Sequence, residues 1–204
     1  MRRILDIGLA LVLLPIMIPL FVVVMLAVVI ESPGNPFYGG WRVGKGGRKF
    51  RMWKFRTMMT GADRVGTAIT TRRDPRITKV GWFLRATKID ELPQFINLLI
   101  GDLTLIGPRP EAPEFVEKYT AEQREILNVK PGITGPTQLQ YTILEAEAVP
   151  DGQDAERFYV EQVMDKKLRL DLEYINQRTF FSDCRVVLQT VALMARAAVG
   201  AASR

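Results

Sequence analysis

An α+β domain, mostly helical and attached to a membrane by its N-terminal helix, is the fold class this sequence predicts, and three stretches predict it. Ile7 to Ile30 is an uncharged run of 24 residues, and a bilayer core takes about 20 to cross. Lys49 to Arg56 alternates charged with apolar residues, the period of a half-buried strand. Glu111 to Asn128 and Phe158 to Asn176 carry apolar residues at helical spacing, which favours helix for most of the later chain.

Composition narrows the chemistry. The 204 residues suffice for one cored domain, and a net charge of +6 calls for an anionic partner. No recognised nucleic-acid motif accompanies that charge, so anionic lipid or a phosphorylated substrate is the expected partner rather than nucleic acid. The chain has no histidine, which excludes Ser-His-Asp and Cys-His nucleophile systems and imidazole zinc sites. Acid-base or nucleophilic work falls to carboxylates, Lys, Tyr or hydroxyls. A metal held by oxygen ligands and substrate phosphate would be magnesium. Cys184 is the single cysteine and reads as a small packed residue.

Taken in order, the chain divides into a membrane segment, residues 1–31, and a cytoplasmic part, residues 32–204. Arg2 and Arg3 precede the apolar run, and Arg42, Lys45, Arg48, Lys49, Arg51, Lys54 and Arg56 follow it. Positive flanks prefer the cytoplasm, so a straight span would push one basic flank across. Pro15 and Pro19 each remove a helical hydrogen bond. A helix broken at these prolines, entering and leaving by one face, satisfies both flanks; a kinked span remains the alternative. Residues 32–47, rich in Gly and Pro, read as loop with headgroup-zone aromatics Phe37, Tyr38 and Trp41. In the strand that follows, the doublet Met52-Trp53 shifts the alternation and implies a bulge. Gly61 to Lys79 is polar around an Asp74-Pro75-Arg76 turn, and Val80 to Arg85 resumes apolar character.

Asp90-Glu91-Leu92-Pro93 then stands at an expected helix start. Proline is tolerated in a first turn, which makes Asp90 the N-cap, Pro93 the third position and Gly101 the stop. A carboxylate there is stabilised by the helix dipole, and a plain capping role would explain Asp90 equally well. Gly107-Pro108-Arg109-Pro110 is a stiff loop presenting Arg109, whose fork suits phosphate. Lys130 to Pro136 is a second rigid loop. Residues 145–156 are acidic and read as a surface insertion. Val186 to Val199 is too short to span and either packs in the core or lies in the interface.

Five motifs occur in order: Lys54-Phe55-Arg56-Thr57-Met58, Asp74-Pro75-Arg76-Ile77-Thr78, Ile89-Asp90-Glu91-Leu92-Pro93-Gln94, Gly107-Pro108-Arg109-Pro110 and Lys130-Pro131-Gly132-Ile133-Thr134-Gly135. Together they resemble the bacterial sugar transferase family, the monotopic phosphoglycosyl transferases, from the membrane segment to about residue 195. The resemblance implies transfer of a sugar-1-phosphate from a nucleotide sugar, usually UDP-linked, to polyprenyl phosphate. That transfer would run through a covalent intermediate with Mg2+, on the cytoplasmic face of the bacterial inner membrane. It places the catalytic dyad on Asp90 and Glu91, with Asp90 also at the metal. Lys54 and Arg109 fall on substrate-binding positions, and Arg56, Arg85 and Thr134 are further candidates within or beside the motifs. It implies a re-entrant N-terminal helix broken at a serine-proline pair; here Pro19 matches and Ile18 replaces the serine, with Pro15 as a second breaking position. After Gly135 the run Pro136 to Tyr141 lacks the basic contact that many members have. A homodimer is left open. The rival reading is a non-catalytic basic module on anionic lipid or nucleic acid.

Overall fold

The computed structural model describes residues 2–62, 74–140 and 154–202. Helix α1 runs from Arg2 to Glu31 with Pro15 and Pro19 inside it. The expected break in the helix at these prolines is therefore absent. A proline removes one ladder bond and need not end a helix whose remaining turns are bonded. Asp6, Ala10, Met17, Val24 and Val28 are buried, with Leu13 and Phe21 half-buried among them. Steps of three and four keep these residues on one face. That face meets the rest of the protein along its whole length. Leu11, Val12, Ile16, Ile18, Val22 and Val23, on the other faces, are exposed.

Polar contacts tie both ends of α1 to the domain. Arg3 donates to the carbonyls of Leu98 and Leu99. Asp6 accepts from the Thr104 hydroxyl at 2.7 Å and the Leu105 N–H at 3.2 Å. At the far end, Glu31 accepts from the N–H groups of Lys79 and Val80, both at 2.8 Å.

Residues 32–47 are not all loop. Strand β1, Phe37–Val43, pairs antiparallel with β2, Lys49–Phe55, in continuous register from Phe37 opposite Phe55 to Val43 opposite Lys49. Gly39 is there for close approach: an added Cβ would lie 2.9 Å from the Trp53 ring. No bulge is needed at Met52-Trp53, because both faces of β2 are covered. Phe50 and Met52 pack with Leu103 on one side, and Phe55 packs with Val24, Val28 and Leu84 on the other. Phe21 and Phe37 flank Phe55 at centroid distances of 5.0 and 5.5 Å.

Helix α2, Lys79–Thr87, is capped by the Thr78 side chain, which accepts from the Gly81 N–H. It stops at Lys88, whose φ of 62° is left-handed. A 3-10 turn, Ile89–Glu91, follows, and helix α3 is Gln94–Ile100 with Pro93 at its N-cap and Gly101 at its C-cap. The Gly101 stop agrees with the sequence; the start does not. Asp90 sits in the 3-10 turn and caps nothing, because Lys88 breaks the chain one residue before Ile89 and the α-helix restarts only after Pro93.

Asn97 of α3 is fully buried and completes the outer edge of β2. Its amide donates to Arg51 O at 2.7 Å and accepts from Trp53 N–H at 3.0 Å. A short parallel pair, β3 (Thr104–Ile106) and β4 (Gly132–Thr134), brings the two rigid loops together. Gly107 N–H donates to Thr134 O and Gly132 N–H to Pro108 O, both at 2.9 Å.

The helix expected across Glu111 to Asn128 is mostly absent. Only α4, Pro113–Val116, and a 3-10 segment, Gln123–Asn128, form. Reciprocal bonds between Thr120 and Gln123 start the second piece afresh, a capping box that ends continuity. Helices α5 (Asp154–Phe158) and α6 (Asp165–Gln177) are joined by a π-helical segment, Tyr159–Met164. They close the main core around Phe115, Tyr119, Ile126, Val163 and Leu168. The acidic insertion lies outside the described residues up to 153. Helix α7, Phe180–Ala202, buries Val186 and leaves Leu188, Val191 and Met194 exposed.

Candidate active site

The 3-10 turn aims two adjacent carboxylates at one cluster of cations. Lys54 Nζ is 2.8 Å from Glu91 Oε1 and 3.9 Å from Asp90 Oδ2. Arg109 Nη2 is 3.0 Å from the same Glu91 oxygen, with Nη1 at 3.5 Å from Oε2. Asp90 is buried, and its Oδ1 has no hydrogen-bond partner. A buried carboxylate oxygen left bare is costly.

The two acids are driven apart electrostatically. Burial raises the Asp90 carboxyl above the usual carboxylate range. Lys54 opposes that rise and the neighbouring Glu91 charge adds to it. Burial also acts to raise Glu91, but Arg109, Lys54 and Lys88 outweigh it and hold Glu91 well below its ordinary value. Glu91 is thus clasped between Lys54 and Arg109, and Asp90 is the less compensated of the two acids.

Arg85, on α2, donates from Nε to the Thr57 hydroxyl at 2.8 Å and lies close enough to Asp90 to favour its ionised form. Arg56 is not brought to the dyad. Its guanidinium ties down the segment after α1, donating to Ser32 O and to the Thr60 hydroxyl at 2.9 Å. Thr134 is also away from the carboxylates: its hydroxyl meets that of Thr190 on α7 at 2.6 Å, so it seats the loop that carries Arg109.

The sequence reading missed Lys88. Burial lowers the pKa of its ammonium, and Glu91 is the largest influence sustaining its charge. The left-handed conformation that turns the chain here costs a residue with a Cβ about 1–2 kcal/mol, and non-glycine residues held so are frequent at functional sites. Nothing in the spacing marks it, since Lys88 reads as one more surface lysine between Thr87 and Ile89.

Also missed was the network behind Arg109. Asp171 accepts from the Thr137 hydroxyl and the Arg109 N–H, and burial pushes its carboxyl up to about 7. Lys167 donates to Glu111 at 3.0 Å and to Tyr159 Oη at 2.8 Å, and Tyr159 donates to Glu111. Residues 107–111 are therefore gripped at nearly every position, and Arg109 is preorganised.

The site fits a divalent cation in one respect. Asp90 Oδ1 is a bare buried oxygen, and no cluster of three or more Asp, Glu, Cys or His able to hold a metal occurs among the described residues. One carboxylate completed by substrate phosphate and water is a usual magnesium arrangement.

Residues 1–197 match the family described as bacterial sugar transferase. The chain belongs to that family. A Bacillus subtilis (strain 168) relative, provisionally named an undecaprenyl-phosphate N-acetylgalactosaminyl 1-phosphate transferase, is 43% identical over 145 residues, covering 69% of this chain and 77% of that protein. An Escherichia coli (strain K12) relative named UDP-glucose:undecaprenyl-phosphate glucose-1-phosphate transferase is 37% identical over 198 residues, covering 94% of this chain but 39% of that protein. A Caulobacter vibrioides relative of the same name is 35% identical over 193 residues, covering 93% and 68%. As a bacterial sugar transferase the chain is an enzyme, and its dyad, Lys54 and Arg109 are the assembled part of the expected site.

Proposed function

We propose that this chain transfers a sugar-1-phosphate from a UDP-sugar to undecaprenyl phosphate through a phospho-aspartate on Asp90, at the cytoplasmic face of the bacterial inner membrane. The observation that carries this reading is the split dyad: a bare buried carboxylate beside a fully compensated one, with Lys54 reaching both and Arg109 clasping Glu91.

In the first half-reaction an Asp90 oxygen attacks the phosphorus bearing the sugar. The bond to the nucleoside monophosphate breaks, and that group leaves with the electron pair. Lys54 and Arg109 hold phosphate oxygens and offset their charge. In the second half-reaction an oxygen of the lipid phosphate attacks the same phosphorus and the Asp90 carboxylate is released. Mg2+, held by Asp90 with substrate phosphate, would neutralise the diphosphate so that two anions can meet. Glu91 is held too acidic to be a good proton acceptor, which favours a positioning role: it spaces Lys54 and Arg109.

Two features support an unbroken helix whose two ends both stay on one side of the membrane. Arg3 and Asp6 at one end of α1 and Glu31 at the other bond to the same domain, and the buried face of α1 is continuous between them. Exposed apolar side chains on α2 (Trp82, Phe83), α3 (Ile96, Ile100) and α7 (Phe180, Phe181) are suited to lie in the lipid boundary. The deciding experiment incubates the enzyme with radiolabelled UDP-sugar and no acceptor. It expects stoichiometric nucleoside monophosphate release and a labelled adduct on Asp90, with ping-pong kinetics when acceptor is present. Turnover in a ternary complex with full Asp90→Asn activity overturns the reading.

A further inference from the structure

A second basic site lies away from the dyad. A cavity of about 440 Å³ opens between the start of α1, the turn after β1 and the end of α3. Arg3, Lys45, Arg48 and Lys130 line it, and the single lining carboxylate is Asp102, which Arg48 engages at 2.6 Å. Four cations against one carboxylate leave a net charge of +3 around one space.

The cations converge at Gly101, in its left-handed C-cap. A Cβ there would sit 3.2 Å from Arg3 Nη2 and 3.5 Å from Lys130 Nζ, so the missing side chain leaves room where two positive groups meet. Bringing like charges together costs energy unless an anion joins them. Arg3 is partly compensated by the carbonyls ending α3. Neither Lys45 nor Lys130 forms a salt bridge among the described residues.

The setting says which anion. Arg3 stands four positions before the apolar run that begins at Ile7, and Ile100, which lines the cavity, is exposed. The cavity mouth therefore borders the surface that faces lipid. The site is not the reaction centre: Arg48, in extended conformation, immediately precedes β2, and Lys54 lies six residues further along that strand, roughly 20 Å away. A phosphate seated here is out of reach of Asp90.

We infer that this cavity seats the headgroup phosphate of an anionic phospholipid and so fixes how the domain lies on the bilayer. The inference rests on the one-face membrane reading above. Phosphate fits the donor set, since Arg48 offers a planar fork and Lys45 and Lys130 offer point charges. The cavity presents no exposed aromatic ring on which a nucleotide base could stack, because Phe50 is buried in the core beneath it.

The test uses the full chain in flotation assays. One set of vesicles is phosphatidylcholine alone; the other contains about one-third phosphatidylglycerol. Lys45→Ala/Lys130→Ala removes two exposed lining lysines. Lys49→Ala/Lys79→Ala removes the same charge from exposed positions near the membrane but outside the cavity. The wild type should prefer the anionic vesicles, the first variant should lose that preference by roughly tenfold, and the second should keep most of it. Nucleoside monophosphate release in detergent should be equal for all three.

Equal loss in both variants would mean diffuse attraction and would overturn the site. Wild type that floats equally with both vesicle types overturns the site and leaves the membrane reading standing. Wild type that floats with neither removes the membrane reading and this site with it. Displacement by millimolar inorganic phosphate with no effect of phosphatidylglycerol overturns the lipid assignment in favour of a soluble anion.

Discussion

Asp90 and Glu91 are adjacent in sequence and chemically almost alike, yet only one is left available for chemistry. Glu91 spends its charge on Lys54 and Arg109, whereas Asp90 keeps a buried oxygen without a partner. Asp90→Asn should lower monophosphate release about a thousandfold or more and abolish the labelled adduct. Arg109→Lys keeps the charge but loses the fork, and should cost roughly a hundredfold in kcat/KM. Asp171 supplies a pH test. Its folded pKa of about 7 lies above the unfolded carboxyl value of about 3.9. Between those values the folded state holds the extra proton, so this group's contribution to stability falls as pH rises from about 4 to 7 and is flat above. Asp171→Asn retains an acceptor for Thr137 and the Arg109 N–H. The variant should flatten that slope, gaining stability relative to wild type at pH 8 and not at pH 4, as read by denaturant unfolding.

Two short contacts between elements hold the site in shape. Asn97 stands in for a strand along β2, and losing its amide leaves the part-buried Trp53 N–H and Arg51 carbonyl without that partner. Asn97→Ala should destabilise the protein by about 2–4 kcal/mol and blunt activity indirectly, because Lys54 is the residue after Trp53 on that strand. The second contact is the glycine seam of the two rigid loops. A Cβ on Gly132 would lie 2.1 Å from Gly107 N, and one on Gly135 would lie 2.3 Å from Gly107 O. Backbone cannot yield that far without separating β3 from β4, so Gly132→Ala should abolish sugar-phosphate transfer even where some folded protein is recovered. Both glycines lie in the second rigid loop that the sequence marked, but what they approach was not visible there. Their partner is the facing loop.

For the molecule as a whole, α1 is bonded at both ends to one domain while its outer face stays apolar. Epitope tags placed at Met1 and after Arg204 should be labelled together in inside-out vesicles and protected together in right-side-out ones. Opposite labelling would restore the straight span. Residue types and their spacing were enough to read the chemistry available: no histidine, an acidic pair near a proline, an arginine between prolines, and a lipid-length apolar run. They also located β2 and the Gly101 stop, because alternation and a glycine C-cap are local physics. The start of α3, strand β1 and the breakup of residues 111–128 were not legible. There, local propensity was overruled by a left-handed Lys88, by a strand partner 6 to 18 residues away in the β1–β2 register, and by side-chain caps. The inequality between the two acids was equally hidden. It arises from Lys54 and Arg109, 37 and 18 residues distant from Glu91, and burial and charge act through space rather than along the chain.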